Sequence, residues 1–372
     1  MNALKRFVIL SVVTIIVSVV VRADSLTIHR FEADVIPCYV LQTNRYLRGD
    51  NRDGEKIGTA MMARMKYAFQ RSDDSLDVAA YQGLGIGYML NHHLLGNPFE
   101  AYVYQGAPIL RLAPSLTLNY ELLFGGSFGW QNIGSEHPEN HVLGSWANFY
   151  IGADLYFCWQ LSPRWDLNFG GSYVHYSNAN LRMPNEGLNM VGLRTSLAYY
   201  LNRSNETKQA TILSARTLPK TERWTTDVVI YGGWKEKSRL RDEYYGAAGF
   251  NISPTFHLNE AIAIGPSFDG VYDHCINVPD LYDEMEDMPS AGHQMALGLQ
   301  ARAELTMPVM RASCGAGYYF LGGFTAFYET LALKIDFTRS FFLNVGYCLY
   351  NYKYSNSLML GIGCRFGNHH KQ

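Results

Sequence analysis

The chain has 372 residues and a formal charge of −2, with 17% charged residues, 14% aromatic ones, 34 glycines and 26 tyrosines. The charged share lies well under the ~25% of an average soluble domain, and a near-neutral chain lacks the basic surface that a nucleic-acid binder needs. Ample apolar and aromatic material excludes a disordered chain.

Residues 1–23 read as an export signal. Lys5 and Arg6 supply its positive start, Phe7 to Val21 form a 15-residue uncharged apolar run, and Val21-Arg22-Ala23 offers a cleavage site before Asp24. The run is shorter than the ~20 residues of a spanning helix. Losing Lys5, Arg6 and Arg22 with the leader leaves 28 basic residues against 33 acidic ones, a charge of −5. No later segment has the ~18 uninterrupted apolar residues of a membrane helix.

Residues 24–57 hold a first candidate strand near 31–42 and a polar loop at about 43–57 that includes Arg48-Gly49-Asp50, a chance tripeptide. From about 58 to 366 apolar and polar residues alternate, the period of a strand. In Gly83-Leu84-Gly85-Ile86-Gly87 the glycines alternate along a strand with no helix following, which argues against a phosphate loop. At 116–125, Leu116, Leu118, Tyr120, Leu122 and Phe124 oppose Thr117, Asn119, Glu121 and Gly125. The same two-faced pattern recurs at 297–305, 330–337 and 357–366. Arg64, Lys66, Arg194, Arg302, Glu304, Lys334 and Asp336 fall on polar faces, as residues paired across an interior would. Residues 367–372 are a short tail.

Many runs reach about 10–14 residues, longer than the ~5–6 of soluble sheets and enough to cross a membrane. Tight turns at Ala113-Pro114-Ser115, Ser162-Pro163-Arg164, Leu258-Asn259-Glu260, Met307-Pro308 and Thr338-Arg339-Ser340 alternate with longer loops at about 43–57, 131–144, 178–187 and 276–292. That asymmetry predicts an all-β, transmembrane, antiparallel up-and-down β-barrel with an even strand number between 12 and 16, tight turns periplasmic and long loops extracellular. The connection at about 203–223 breaks the rule, being long on the side of the tight turns. Six dispersed cysteines without a Cys-x-x-Cys spacing read as small hydrophobes and provide no zinc site. The acidic run Asp280, Asp283, Glu284, Glu286 and Asp287 could offer oxygens to a divalent cation, but reads better as a solvated extracellular loop.

One stretch, 173–189, does not read as barrel wall. Leading into it, Leu167, Phe169 and Tyr173 oppose Asp166, Asn168, Gly170 and Ser172, and His175 and Ser177 continue the apolar parity. In the next run Val191, Leu193, Leu197 and Tyr199 oppose Gly192, Arg194 and Ser196, and Asn189 shares the outward parity. Three polar groups are thus expected on the lipid side near the long loops. A hydroxyl, a base and a group that orients the base make a hydrolytic nucleophile. An isolated His-x-Ser at a strand end is more often a pair of interfacial residues facing head groups, and the surrounding sequence shifts that balance.

His175-Tyr176-Ser177-Asn178 followed by Pro184-Asn185-Glu186-Gly187 resembles the signature of the lipid A 3-O-deacylases, the PagL-like acyloxyacyl hydrolases of outer membranes: H-x-S-N, then P-N-x-G, then an acid. The resemblance is specific over 165–200, fades back towards 80 and leaves the C-terminal half outside. It implies Ser177 as nucleophile, His175 as general base, Asn178 as oxyanion donor, and Asn185 and Gly187 as loop-shaping residues. It also implies the outer membrane of a Gram-negative bacterium, lipid A of lipopolysaccharide as the substrate losing an ester-linked acyl chain, and no metal or organic cofactor. One departure stands at the acid position, which is Asn189. An amide orients the ring but adds no charge, and replacing the acid of a serine triad by its amide can cost about 10⁴ in turnover. Glu186 is the alternative acid if the loop folds back, and otherwise a solvated charge. The rival reading is a non-catalytic barrel, a pore or a structural wall, that retains the loop.

Overall fold

The computed structural model describes residues 27–71, 78–132, 139–203, 210–220, 223–238, 241–278, 289–307, 310–351 and 354–367. Residues 1–23, expected to be an export signal, and the acidic run at 280–287 lie outside them. Among the described residues there are sixteen strands: β1 Thr27–Val40, β2 Thr59–Arg71, β3 Tyr81–Leu90, β4 Phe99–Ala113, β5 Leu116–Phe128, β6 Ala147–Gln160, β7 Trp165–Ser177 and β8 Leu188–Tyr200. The second half continues with β9 Trp224–Ser238, β10 Arg241–His257, β11 Ile262–Asp273, β12 Met295–Thr306, β13 Met310–Gly322, β14 Ala326–Asp336, β15 Phe341–Tyr350 and β16 Tyr354–Gly367. No helix among the described residues is long and apolar enough to cross a membrane.

All neighbouring strands are antiparallel, but they close as two rings of eight, β1–β8 and β9–β16. β8 returns to β1, with Arg30 opposite Tyr200 and Val40 opposite Met190. β16 closes on β9, with Leu360 opposite Gly232 and Gly367 opposite Thr225. This corrects the expectation of one barrel of 12 to 16 strands over 58–366. It also makes the first candidate strand a full wall member that begins at Thr27. Alternation is a local property and says which way a side chain points, not which edge a strand pairs with. The anomalous connection at 203–223 is the link between the barrels. It pairs at Ala79 N–H to Ala210 O (2.9 Å) on the first barrel and at Glu260 N–H to Arg216 O (3.0 Å) on the second.

The parity holds in three dimensions. Phe157, Trp159, Phe169, Leu193, Leu299, Leu331 and Ile362 are exposed on the outside, while the interiors hold charge. In the first barrel Arg64 pairs with Asp34 (2.9 Å) and Asp154 (2.7 Å), and Lys66 with Glu121 (2.7 Å). Arg194 reaches Glu121 (3.0 Å) and Asp154 (3.1 Å). In the second, Arg311 pairs with Asp227 (3.0 Å), Glu304 (3.0 Å) and Asp336 (2.5 Å), while Lys334 joins Asp227 (2.7 Å) and Glu304. Arg302 instead donates to the Ser253 hydroxyl (3.0 Å). An eight-stranded barrel is just wide enough for its own side chains to fill, and these buried charges meet across each interior. Glycines make the room: a Cβ on Gly85 would lie 2.3 Å from the Tyr102 ring.

Candidate active site

The β7–β8 hairpin carries the motif residues. Register sets Asn189 directly opposite His175 and Phe149 opposite Ser177. Tyr173, His175 and Ser177 share the outward face of β7, since the intervening Val174 and Tyr176 are buried inwards. Outward parity does not expose all three equally: Tyr173 is 41% exposed, whereas Ser177, beneath the loop, is 7% exposed.

His175 Nδ1 lies 2.7 Å from Asn189 Oδ1. The Tyr173 hydroxyl donates to the same oxygen, also at 2.7 Å. A carbonyl oxygen only accepts, so Nδ1 carries the ring proton and Nε2 keeps its lone pair. That is the tautomer a general base needs. By its parity alone Tyr173 is lipid-facing wall, and its hydrogen bond to Asn189 adds it to the site. Its signal is position, two residues before His175 on one face, which extends the pattern to Tyr-x-His-x-Ser.

Residues 178–187 are tied down on themselves. The Asn178 backbone N–H donates to Asn185 Oδ1 (2.9 Å), and Asn185 Nδ2 donates to Asn180 Oδ1 (2.9 Å). The Asn178 side-chain amide donates to Ser145 Oγ (3.1 Å) and Arg182 O (2.7 Å). Both hydrogens of that amide are therefore engaged by neighbouring groups. The neighbouring β5–β6 loop supplies two more anchors, the carbonyls of His141 to Glu186 N–H (3.3 Å) and of Val142 to Gly187 N–H (3.0 Å). Gly187 has φ 74°, and a Cβ there would sit 3.1 Å from His175 Cε1. The left-handed φ favours glycine, and a Cβ would press on the imidazole. Glu186 is exposed, and the side-chain partner of His175 is Asn189.

Among the described residues one cluster offers metal-ligand types, Asp53, His92 and His93, with ligand atoms within 4.8 Å of one another. It lies on other loops of the same rim, where His93 and Asp53 form an exposed pair at 3.0 Å.

Comparison with known proteins divides the chain where the barrels divide. Residues 61–198 match the family model of lipid A 3-O-deacylase (PagL), and residues 224–369 match that of the acyloxyacyl hydrolase C-terminal domain. The chain belongs to the PagL family. The second match corrects the expectation that the resemblance stops short of the C-terminal half. Solved structures similar to the chain include Neisserial surface protein A, at 9% identity over 46% of this chain and 96% of that one, TM-score 0.32. The outer membrane enzyme PagL is 16% identical over 45% of this chain and 97% of its own, TM-score 0.30. The KdgM porin is 6% identical over 74% and 94%, TM-score 0.19. No curated protein matches.

Proposed function

We propose that this PagL-family chain hydrolyses an ester-linked acyl chain of lipid A at the outer face of the first barrel, in the outer membrane, with the long loops extracellular. The observation that carries the reading is the His175 Nδ1 to Asn189 Oδ1 hydrogen bond of 2.7 Å between register partners, on the strand face that also bears Ser177. Ser177 Oγ attacks the acyl carbonyl carbon while its proton passes to His175 Nε2. The tetrahedral intermediate collapses, the sugar oxygen leaves and takes that proton, and an acyl-serine remains. Water, deprotonated by the same nitrogen, then attacks the acyl-serine and releases the fatty acid and free Ser177.

Asn189 serves as the orienting group. It fixes the tautomer through its oxygen but adds no negative charge beside the imidazolium, so turnover is slower than an acid would allow. Asn185 and Gly187 hold the loop against the ring, and Glu186 has no part in the triad. The outward site suits its substrate, because the scissile ester of a membrane lipid lies just below the head groups and never enters the barrel. Two rings of eight strands, each crossed by interior ion pairs, oppose the pore reading, which rests on one wide barrel. The structural-wall reading keeps one observation in its favour, the amide at position 189. Mass spectrometry of lipid A exposed to wild type and to Ser177→Ala separates the two, since only the hydrolase reading expects the samples to differ.

A further inference from the structure

We propose that Glu236, on the second barrel, is a positioning residue for the loop that carries the candidate site of the first; the inference rests on the Ser177–His175 reading above. On β9, Trp224, Ile230 and Trp234 are exposed on the outer face, whereas Lys235 points inward to Asp273 at 2.6 Å. Glu236 shares the outward parity of Trp234, and an outward carboxylate on a membrane barrel is costly unless something satisfies it. Glu236 is nevertheless only 5% exposed, because residues of the 178–187 loop are hydrogen-bonded to it. Its Oε2 accepts the Met183 N–H at 2.5 Å, and its own N–H donates to Asn180 O at 2.8 Å.

From there the bonds run to the nucleophile. Asn180 Oδ1 accepts from Asn185, and Asn185 Oδ1 accepts the N–H of Asn178, the residue after Ser177. Ala179 and Asn180 have φ of 55° and 61°, a left-handed conformation that costs residues with a Cβ. A loop built this way needs external bonds to hold it, and Glu236 provides two. At the opposite rim the connection between the barrels is hydrogen-bonded to both, so β9 meets the loop from a fixed support. The second barrel thus has a role in the site without touching the reacting atoms.

The test uses the full chain in detergent micelles, with lipid A hydrolysis and amide exchange of the 178–187 peptide measured on wild type, Glu236→Ala and Glu236→Gln. Loss of the side-chain acceptor for the Met183 N–H predicts exchange about tenfold faster in Glu236→Ala, with kcat down about tenfold and KM nearly unchanged. Glu236→Gln keeps an acceptor oxygen and should restore both. A Glu236→Ala chain with wild-type exchange, or with wild-type kcat, overturns the proposal. A wild type that releases no fatty acid overturns the hydrolase reading instead, and the exchange rates then decide the loop clamp by themselves.

Discussion

At the scale of single residues the account turns on Asn189. Its oxygen receives two hydrogen bonds of 2.7 Å, from Tyr173 and from His175, so the ring is oriented as fully as a carboxylate would orient it. What it lacks is charge. Asn189→Asp preserves length and both donors while placing an anion beside the imidazolium that forms during attack. The rate of acyl release should rise about tenfold or more, and an unchanged rate would detach Asn189 from the reaction. The motif was legible as residue types at fixed spacing, and outward parity was legible from the alternation. The Tyr173 bond was not, because a tyrosine on an apolar face looks like wall until its hydroxyl is seen to meet a partner across the hairpin.

At the scale of elements, the β7–β8 hairpin shows what alternation can and cannot predict. The two strands and their faces follow from period two, because each inward position must meet a filled interior and each outward one lipid. The loop follows no period. Its shape comes from an amide network among Asn178, Asn180 and Asn185 and from the left-handed Gly187, none of which a strand pattern encodes. Gly187→Ala forces a Cβ into that conformation and towards His175 Cε1. A loss of about 1–2 kcal/mol in stability is expected from the backbone alone. Activity should fall further than stability, since the imidazole itself must move. Urea unfolding in micelles alongside fatty-acid release would check both, and equal activity in the two chains would contradict the contact.

At the scale of the molecule, the sixteen strands of the described residues make two barrels, because β8 pairs with β1 rather than with β9. Interior charges were legible as polar-face residues, but the closing partner was not: nothing in the composition of a strand names the edge it joins. Inside each ring, ion pairs join side chains from different strands. Arg194 holds Glu32, Glu121 and Asp154 in the first barrel. Arg194→Ala leaves buried carboxylates short of a counter-charge, and a loss of about 3–5 kcal/mol of stability is expected, measurable as a shift of the urea midpoint. Wild-type stability in that variant would mean that the interior charges are hydrated. The central claim, that the outer face of the first barrel hydrolyses lipid A through Ser177, is tested most directly by mass spectrometry of lipid A from outer membranes carrying either the wild-type chain or Ser177→Ala. The account predicts lipid A lighter by one acyl chain with wild type and full-length lipid A with Ser177→Ala; identical acylation in the two samples would contradict it.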